Sequence, residues 1–419
     1  MITVVGYDGT ALSPLAVERL STAALVVGGQ RHLDAAALPD GSRTVVMGDV
    51  RDAVAAVTEA NKVGDDVVVL ASGDPGFFGI VRRLNAVPEL ALEVLPAVSA
   101  VARAFARLGL PWDDAVVVSA HGRPPGPALA ALRRFPKVAV LTDRSSSPAV
   151  LVRLLGGSCP ELVVLERLGE VGERITTISG EARPGALTPA EAQQRDWREP
   201  LVVVRADHSA DHSADGAQPW LSGVVPTAGW ALPDEAFSHR DAMVTKREVR
   251  ALALARLAPA VGQLVWDVGA GSGSVAVECS RLGAAVIAVD QGEDSCALVR
   301  ANAIAHHAPV QVVHGVAPEA LQDLPDPAAV FVGGGGPDVV DAVAARRPER
   351  VVVALATLER VAPTLAALAG YQTDTVLLQA QRLQPLGGAA ASCPPTRCSS
   401  SQDNCVDRAD RARHHDRCS

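Results

Sequence analysis

The sequence predicts an α/β protein built as two modules in tandem, the second of them Rossmann-like. Three observations carry this. Short β-branched runs alternate with amphipathic stretches along nearly the whole chain. An apolar strand at Leu264–Trp266 runs into Asp267 and then Gly269, Gly271 and Gly273, with a second strand ending in Asp290. Between the two halves, Asp207 to Gln218 reads DHSADHSADGAQ, a small, polar, aperiodic stretch with HSAD directly repeated. Such a composition predicts a flexible linker over 208–218.

In the first half, residues 1–207, strands are expected at Ile2–Val5, Leu25–Val27, Thr44–Val46, Val67–Leu70, a run ending at Leu95, Ala115–Val118, Val138–Leu141, Leu162–Leu165 and Leu201–Val204. Helical periodicity fills Val98–Leu108 and Pro148–Leu155. The Pro111-Trp112-Asp113 corner divides this half into two lobes. In the second half, residues 219–387, an amphipathic helix is expected over Lys246–Leu257. Strands then follow at Leu264–Trp266, Val286–Val289, Val310–Val313, Ala329–Val332, Val351–Leu355 and Thr375–Leu378.

From Gly388 the period is lost, so 388–419 reads as an irregular or disordered tail, or as the product of a shifted reading frame near Gly388. The final hairpin expected of such a sheet would then be incomplete.

The chain has 419 residues, nearly half of them apolar and a fifth charged, enough for two sizeable cores. A formal charge of −9 argues against general nucleic-acid binding. No apolar run is long enough to span a bilayer and no signal peptide is evident, so a cytoplasmic location is expected, as a homo-oligomer. Cys393, Cys398, Cys405 and Cys418 crowd the tail, but without the paired spacing of a zinc site. No metal is expected.

The Leu264–Asp290 unit is a β-loop-α-β nucleotide cradle. Glycines let the backbone turn and approach a ligand, the helix start offers unpaired N–H groups, and an acidic strand end can accept from two ribose hydroxyls. Two adenosyl ligands fit. Gly271-x-Gly273-x-x-Ala276 with Asp290 matches a dinucleotide pattern and a nicotinamide-dependent oxidoreductase. Asp267 at the loop start favours S-adenosylmethionine, because a carboxylate there attracts a cationic amino acid and repels a pyrophosphate. A non-catalytic cofactor-binding protein with a defective C-terminus is the third reading.

In the first half, strand Val67–Leu70 runs into Ser72-Gly73-Asp74-Pro75-Gly76-Phe77-Phe78. With VVGYDG at the start, LPAVSAVARAFARLGLPWDD from Leu95, VVSAHGR from Val117 and ERLGEVGERI from Glu166, it resembles the tetrapyrrole (corrin) methylase family, in its cobalamin C5-methylating branch. The resemblance covers most of residues 1–205 and implies the two-lobed fold of that family. It also implies S-adenosylmethionine contacts at Gly73, Asp74, Phe77, Ser99 and Ala100. The first loop departs from the family's G-x-G-P-G, reading Gly6-Tyr7-Asp8-Gly9-Thr10.

GWALPDEAF from Gly229, VTKREVRALALARL from Val244, DVGAGSGSVAVE, HGVAPEAL from His314 and FVGGGG from Phe331 resemble the C15-methylating, decarboxylating family of the same pathway. That resemblance implies cofactor contacts at Thr245, Gly269, Gly271, Gly273, Asp290 and Ala317. Together the two imply methylation of an anionic precorrin at C5 and C15 with loss of an acetate carboxylate. Such a substrate needs cations, and Arg123, His239, Arg240 and Lys246 are the candidates. Gly333–Gly336 could admit the flat macrocycle or simply close a strand end. No catalytic base is assigned.

Overall fold

The computed structural model describes residues 1–170, 172–181, 183–198, 201–206, 229–239, 245–380, 383–386 and 389–392. The expected linker 208–218, Arg240, Val244 and the four tail cysteines lie outside these residues.

Strands β1 (Ile2–Tyr7), β2 (Leu25–Gly28), β3 (Arg43–Val46), β4 (Val67–Ser72) and β5 (Leu92–Leu95) form a parallel sheet in the order β3–β2–β4–β1–β5. Its central strands are apolar throughout because both faces are covered. Val67 and Val69 pack with Ala53 and Val57 on one side, while Val68 and Leu70 pack with Ala16 and Leu20 on the other. β1 and β4 run side by side, which brings the Gly6 and Gly73 turns together at the carboxyl edge.

The second lobe comprises β6 (Val116–Ser119), β7 (Lys137–Leu141), β8 (Leu162–Glu166), β9 (Arg174–Ile178) and β10 (Leu201–Ala206), ordered β6–β7–β10–β8–β9. Only the β6–β7 pair is parallel. The Pro111-Trp112-Asp113 corner does not divide the lobes. The Trp112 ring stacks on Phe105 of the Ala100–Leu108 helix, centroids 6.2 Å apart. That helix packs its Val101, Ala104 and Phe105 with Ala139, Leu165 and Val202 of the second sheet, so the crossing falls between β5 and this helix. β9 was not anticipated from sequence. It carries two threonines and a charged first residue, so its apolar pattern is weak. Arg174 earns its place through bonds of 2.6 and 2.7 Å to Glu166, which is itself buried.

The third sheet holds β11 (Leu264–Val268), β12 (Ala285–Asp290), β13 (Gln311–His314), β14 (Ala329–Val332) and β15 (Arg350–Val353), all parallel, ordered β13–β12–β11–β14–β15. The order reverses between β11 and β14, the switch point at which open α/β sheets bind ligands. Val265, Ala288 and Phe331 form its core with Leu254, Val275 and Val299 from the flanking helices. This domain touches the second lobe, where Arg134 donates from Nε to the Ser280 carbonyl at 2.7 Å. No helix among the described residues is long and apolar enough to cross a membrane.

Two expectations about the end of the chain are corrected. Thr375–Leu378 is not a strand, and Leu377 is 84% exposed. A β-branched run becomes a strand only where a neighbour takes its hydrogen bonds. The regular pattern also does not stop at Gly387. β16 (Leu383–Leu386) and β17 (Ala389–Ser392) pair antiparallel, in a unit of their own that begins at Tyr371. An alanine-rich strand has little side-chain signature, so composition alone missed it.

Candidate active sites

In the first module the site grows from three turns at adjacent strand ends. Gly73 donates its N–H to the Tyr7 carbonyl at 2.8 Å. A Cβ on Gly6 would lie 2.3 Å from Gly73 O and 2.5 Å from Ala97 N, so only glycine permits this approach. Gly73 has φ +58° and packs against the backbone of Val98 and Ser99. Gly73, Ser99 and Ala100 are thereby brought together.

Asp74 accepts from Gly76 N at 2.8 Å, capping its own turn. Ser99 caps the next helix through Ala102 N at 3.1 Å. Phe77 and Ala100 pack against one hydrophobic cluster. Arg123, from the second lobe, places its guanidinium 5.7 Å over the Phe78 ring. That stacking carries it across to the SGDPG turn.

The departing first loop has its own bracing. Asp8 accepts from Thr10 Oγ1 at 2.6 Å, from Thr10 N at 3.1 Å and from Arg103. Burial alone would raise the Asp8 carboxyl, but the Thr10 bonds and the Arg103 charge outweigh it and hold it low. Beside this loop, Ser72 Oγ accepts from Arg31 at 2.7 Å and lies 3.2 Å from His32 Nε2. Burial, aided by Arg31, pushes His32 down to about 4, so it stays neutral.

In the second module, Gly269, Gly271 and Gly273 all have positive φ, at +72°, +56° and +73°. A Cβ on Gly269 would lie 2.7 Å from Gly334 N, which requires glycine where β11 meets β14. Asp290 accepts from Gly271 N through Oδ2 and from Gly292 N through Oδ1, each at 2.8 Å. Each carboxylate oxygen has a second lone pair, leaving room for two further donors. Gly315 donates to the Asp290 carbonyl at 3.0 Å, which sets the start of the Ala317 turn beside the same strand end. Asp267, read from sequence as facing a ligand's amino group, is instead 1% exposed and accepts from Ala276 N at 2.9 Å.

Sequence reasoning missed the frame behind this cradle. Arg250 is wholly buried and donates from Nε to Glu278 at 2.7 Å, and also to the carbonyls of Thr245 and Leu232. Glu278 in turn accepts from Leu232 N at 3.0 Å. Asn302 accepts from Ser238 N and donates to Ser238 O and Ser272 O, all at 2.8 Å. The 229–239 segment, Thr245 and the glycine loop are thus tied into one body. The available signal was a charge at an apolar-period position of a helix, Arg250 and Glu278 alike.

The three described candidate cations, Arg123, His239 and Lys246, do not form one cluster; Arg240 lies outside the described residues. Lys246 Nζ lies 3.8 Å from Asp234, and His239 Nδ1 pairs with the Phe237 carbonyl at 2.9 Å. Both belong to the second module, whereas Arg123 serves the first.

Two glycine-lined cradles at the carboxyl edges of parallel sheets, the second with an acidic strand end, define a tandem of α/β methyltransferase modules. Comparison with known proteins agrees. Residues 5–182 match the family of tetrapyrrole (corrin/porphyrin) methylases, and residues 235–398 match the precorrin methyltransferase domain. A precorrin-6Y C(5,15)-methyltransferase [decarboxylating] from Sinorhizobium sp is 35% identical over 92% of this chain and 91% of its own. A probable cobalt-precorrin-6B C(15)-methyltransferase (decarboxylating) from Pyrobaculum calidifontis is 37% identical over 37% of this chain and 84% of its own. A cobalt-precorrin-7 C(5)-methyltransferase from Salmonella typhimurium is 33% identical over 49% of this chain and 98% of its own. The chain belongs to the precorrin-6Y C5,15-methyltransferase (decarboxylating) family of cobalamin biosynthesis. Membership overturns the nicotinamide-dependent oxidoreductase reading.

Proposed function

We propose that this chain methylates precorrin-6Y at C5 and C15 and removes carbon dioxide from an acetate side chain, using S-adenosylmethionine in both modules. Residues 1–207 would perform the first methylation and residues 219–387 the second, joined by 208–218. The observation that carries the reading is the pair of cradles in which a Cβ on Gly6 or Gly269 would collide with a facing backbone. Such close approach is what a nucleoside lying along the backbone needs.

When bound, S-adenosylmethionine supplies an electrophilic sulfonium methyl. The chain's part is then to hold an electron-rich carbon in line with it. In the first module Gly73, Asp74, Phe77, Ser99 and Ala100 would hold the cofactor, with Arg123 toward the substrate. In the second, Thr245, Gly269, Gly271, Gly273, Asp290 and Ala317 would hold it, with His239, Arg240 and Lys246 toward substrate carboxylates. Asp290 is braced by two backbone amides and so is pre-set to accept ribose hydroxyls. The reading extends to an anionic tetrapyrrole, a cytoplasmic location and assembly with copies of the same chain.

Calorimetric titration of the intact chain with S-adenosylhomocysteine tests it. A stoichiometry near two supports both sites. A product gaining two methyl groups and losing one carbon dioxide, read by mass spectrometry, completes the test. A single site mapping to residues 1–207 would remove the second module from the reading.

A further inference from the structure

Beyond the cofactor cradle, the ends of β14 and β15 enclose a cleft with about 100 Å³ of open space. Apart from Arg360 and Thr364 its walls are apolar side chains or glycine backbone, including the Gly333–Gly336 turn, Val353, Leu355 and Pro337. Arg360 is the one charged residue lining it. Arg360 Nη1 donates to the Gly335 carbonyl at 2.9 Å, which aligns the guanidinium, and among the described residues it forms no ion pair. The cleft shares a wall with the cofactor site, because Gly334 is the residue that a Cβ on Gly269 would strike. A group seated in the cleft is therefore indexed against the methyl donor's cradle.

We propose that this cleft is a carboxylate subsite, in which Arg360 pairs with one acidic side arm of the tetrapyrrole while the ring lies over the glycine turn. The assignment rests on the proposed substrate class of the second module. Cleft size admits a short arm and not a macrocycle. A planar guanidinium presents several N–H groups in a fork that suits a carboxylate. The arm held is one that stays on the ring. Pairing with a cation stabilises a carboxylate and opposes its departure as carbon dioxide, so the departing arm belongs elsewhere. Arg360 is in these terms a positioning residue for the C15 methylation.

The test compares the full-length chain with Arg360→Gln and Arg360→Lys, using the tetrapyrrole substrate and S-adenosylmethionine. Arg360→Gln should raise the KM for tetrapyrrole in C15 methylation roughly ten- to hundredfold, the scale of one lost charge-assisted pair. The kcat, the ratio of methylation to carbon dioxide release, S-adenosylhomocysteine affinity and melting temperature should stay near wild type. Arg360→Lys should recover part of the KM, as a point charge without the fork. An unchanged KM in Arg360→Gln, or a fall in melting temperature that accounts for the loss, overturns the subsite alone. Absence of C15 methylation in the unaltered chain overturns the functional reading, and the subsite with it.

Discussion

Arg250 donates from Nε to Oε1 of Glu278 at 2.7 Å, and neither side chain has more than 1% of its surface in solvent. The pair joins the Arg247–Leu257 helix to the Ser274–Arg281 helix that begins at the glycine loop. Its remaining bonds hold the backbone of Ala231, Leu232 and Thr245. A buried pair of this kind matters most when it is broken, because the surviving charge has no water to solvate it.

Glu278→Ala and Arg250→Ala should each destabilise the second module by about 3–5 kcal/mol. Differential scanning calorimetry should show one transition shifted down. The transition of the first module should move less, since the hydrogen bonds of Arg250 and Glu278 all go to residues of the second. Equal loss in both transitions would show that the modules melt as one unit.

Asp290→Ala should weaken S-adenosylhomocysteine binding in the second module by about 2–3 kcal/mol, the scale of lost charge-assisted hydrogen bonds. The amides of Gly271 and Gly292 also lose their acceptor, so the loop is loosened as well. Asp290→Asn keeps one acceptor oxygen and should fall between the two. C5 methylation should persist in both variants; a parallel fall in the two activities would contradict separate sites.

Burial pushes the Asp267 carboxyl up to about 7; the Ala276 N–H works against this, and the nearby Asp290 charge adds to it. A carboxyl whose pKa is higher folded than unfolded binds more protons in the native state between the two values. Stability from this group is therefore fully present below about pH 4 and is lost as pH rises towards 7. Asp267→Asn should remove that slope, which denaturant midpoints measured across the range would reveal. A slope unchanged by the substitution would assign the titration to another group.

Among the described residues β15 is an edge of its sheet, and its sequence Arg350-Val351-Val352-Val353 carries a single charge. An apolar edge strand is a template for pairing with another chain. The full chain should therefore scatter more light on concentration than residues 1–207 expressed alone. Equal behaviour of the two would show that this edge is protected.

Much of the second cradle was legible in the sequence because its determinants are local. Positive φ at Gly269, Gly271 and Gly273 demands residues without a Cβ, and that demand is visible as letters in a row. The strand ends that carry the cradles, at Tyr7, Ser72 and Asp290, follow from apolar runs that stop at polar residues. The crossing between lobes was not legible in this way, because the Ala100–Leu108 helix, which precedes the Pro-Trp-Asp corner, packs with the second sheet.

What only the tertiary structure decided was which distant residues share a neighbourhood. Strand order put β1 beside β4 and β11 beside β14, and so set Gly6 against Gly73 and Gly269 against Gly334. No local pattern encodes such pairings, because they depend on where the chain returns after a helix. The same holds for charges. Sequence marks Asp267, Arg250 and Glu278 as ionisable, but burial decides whether a carboxyl points to a ligand, is pushed up in pKa, or pairs with a guanidinium 28 residues away. Sequence alone determined the modules and their turns. Long-range packing, which sets solvent access and therefore the cost of every charge, determined what those turns face.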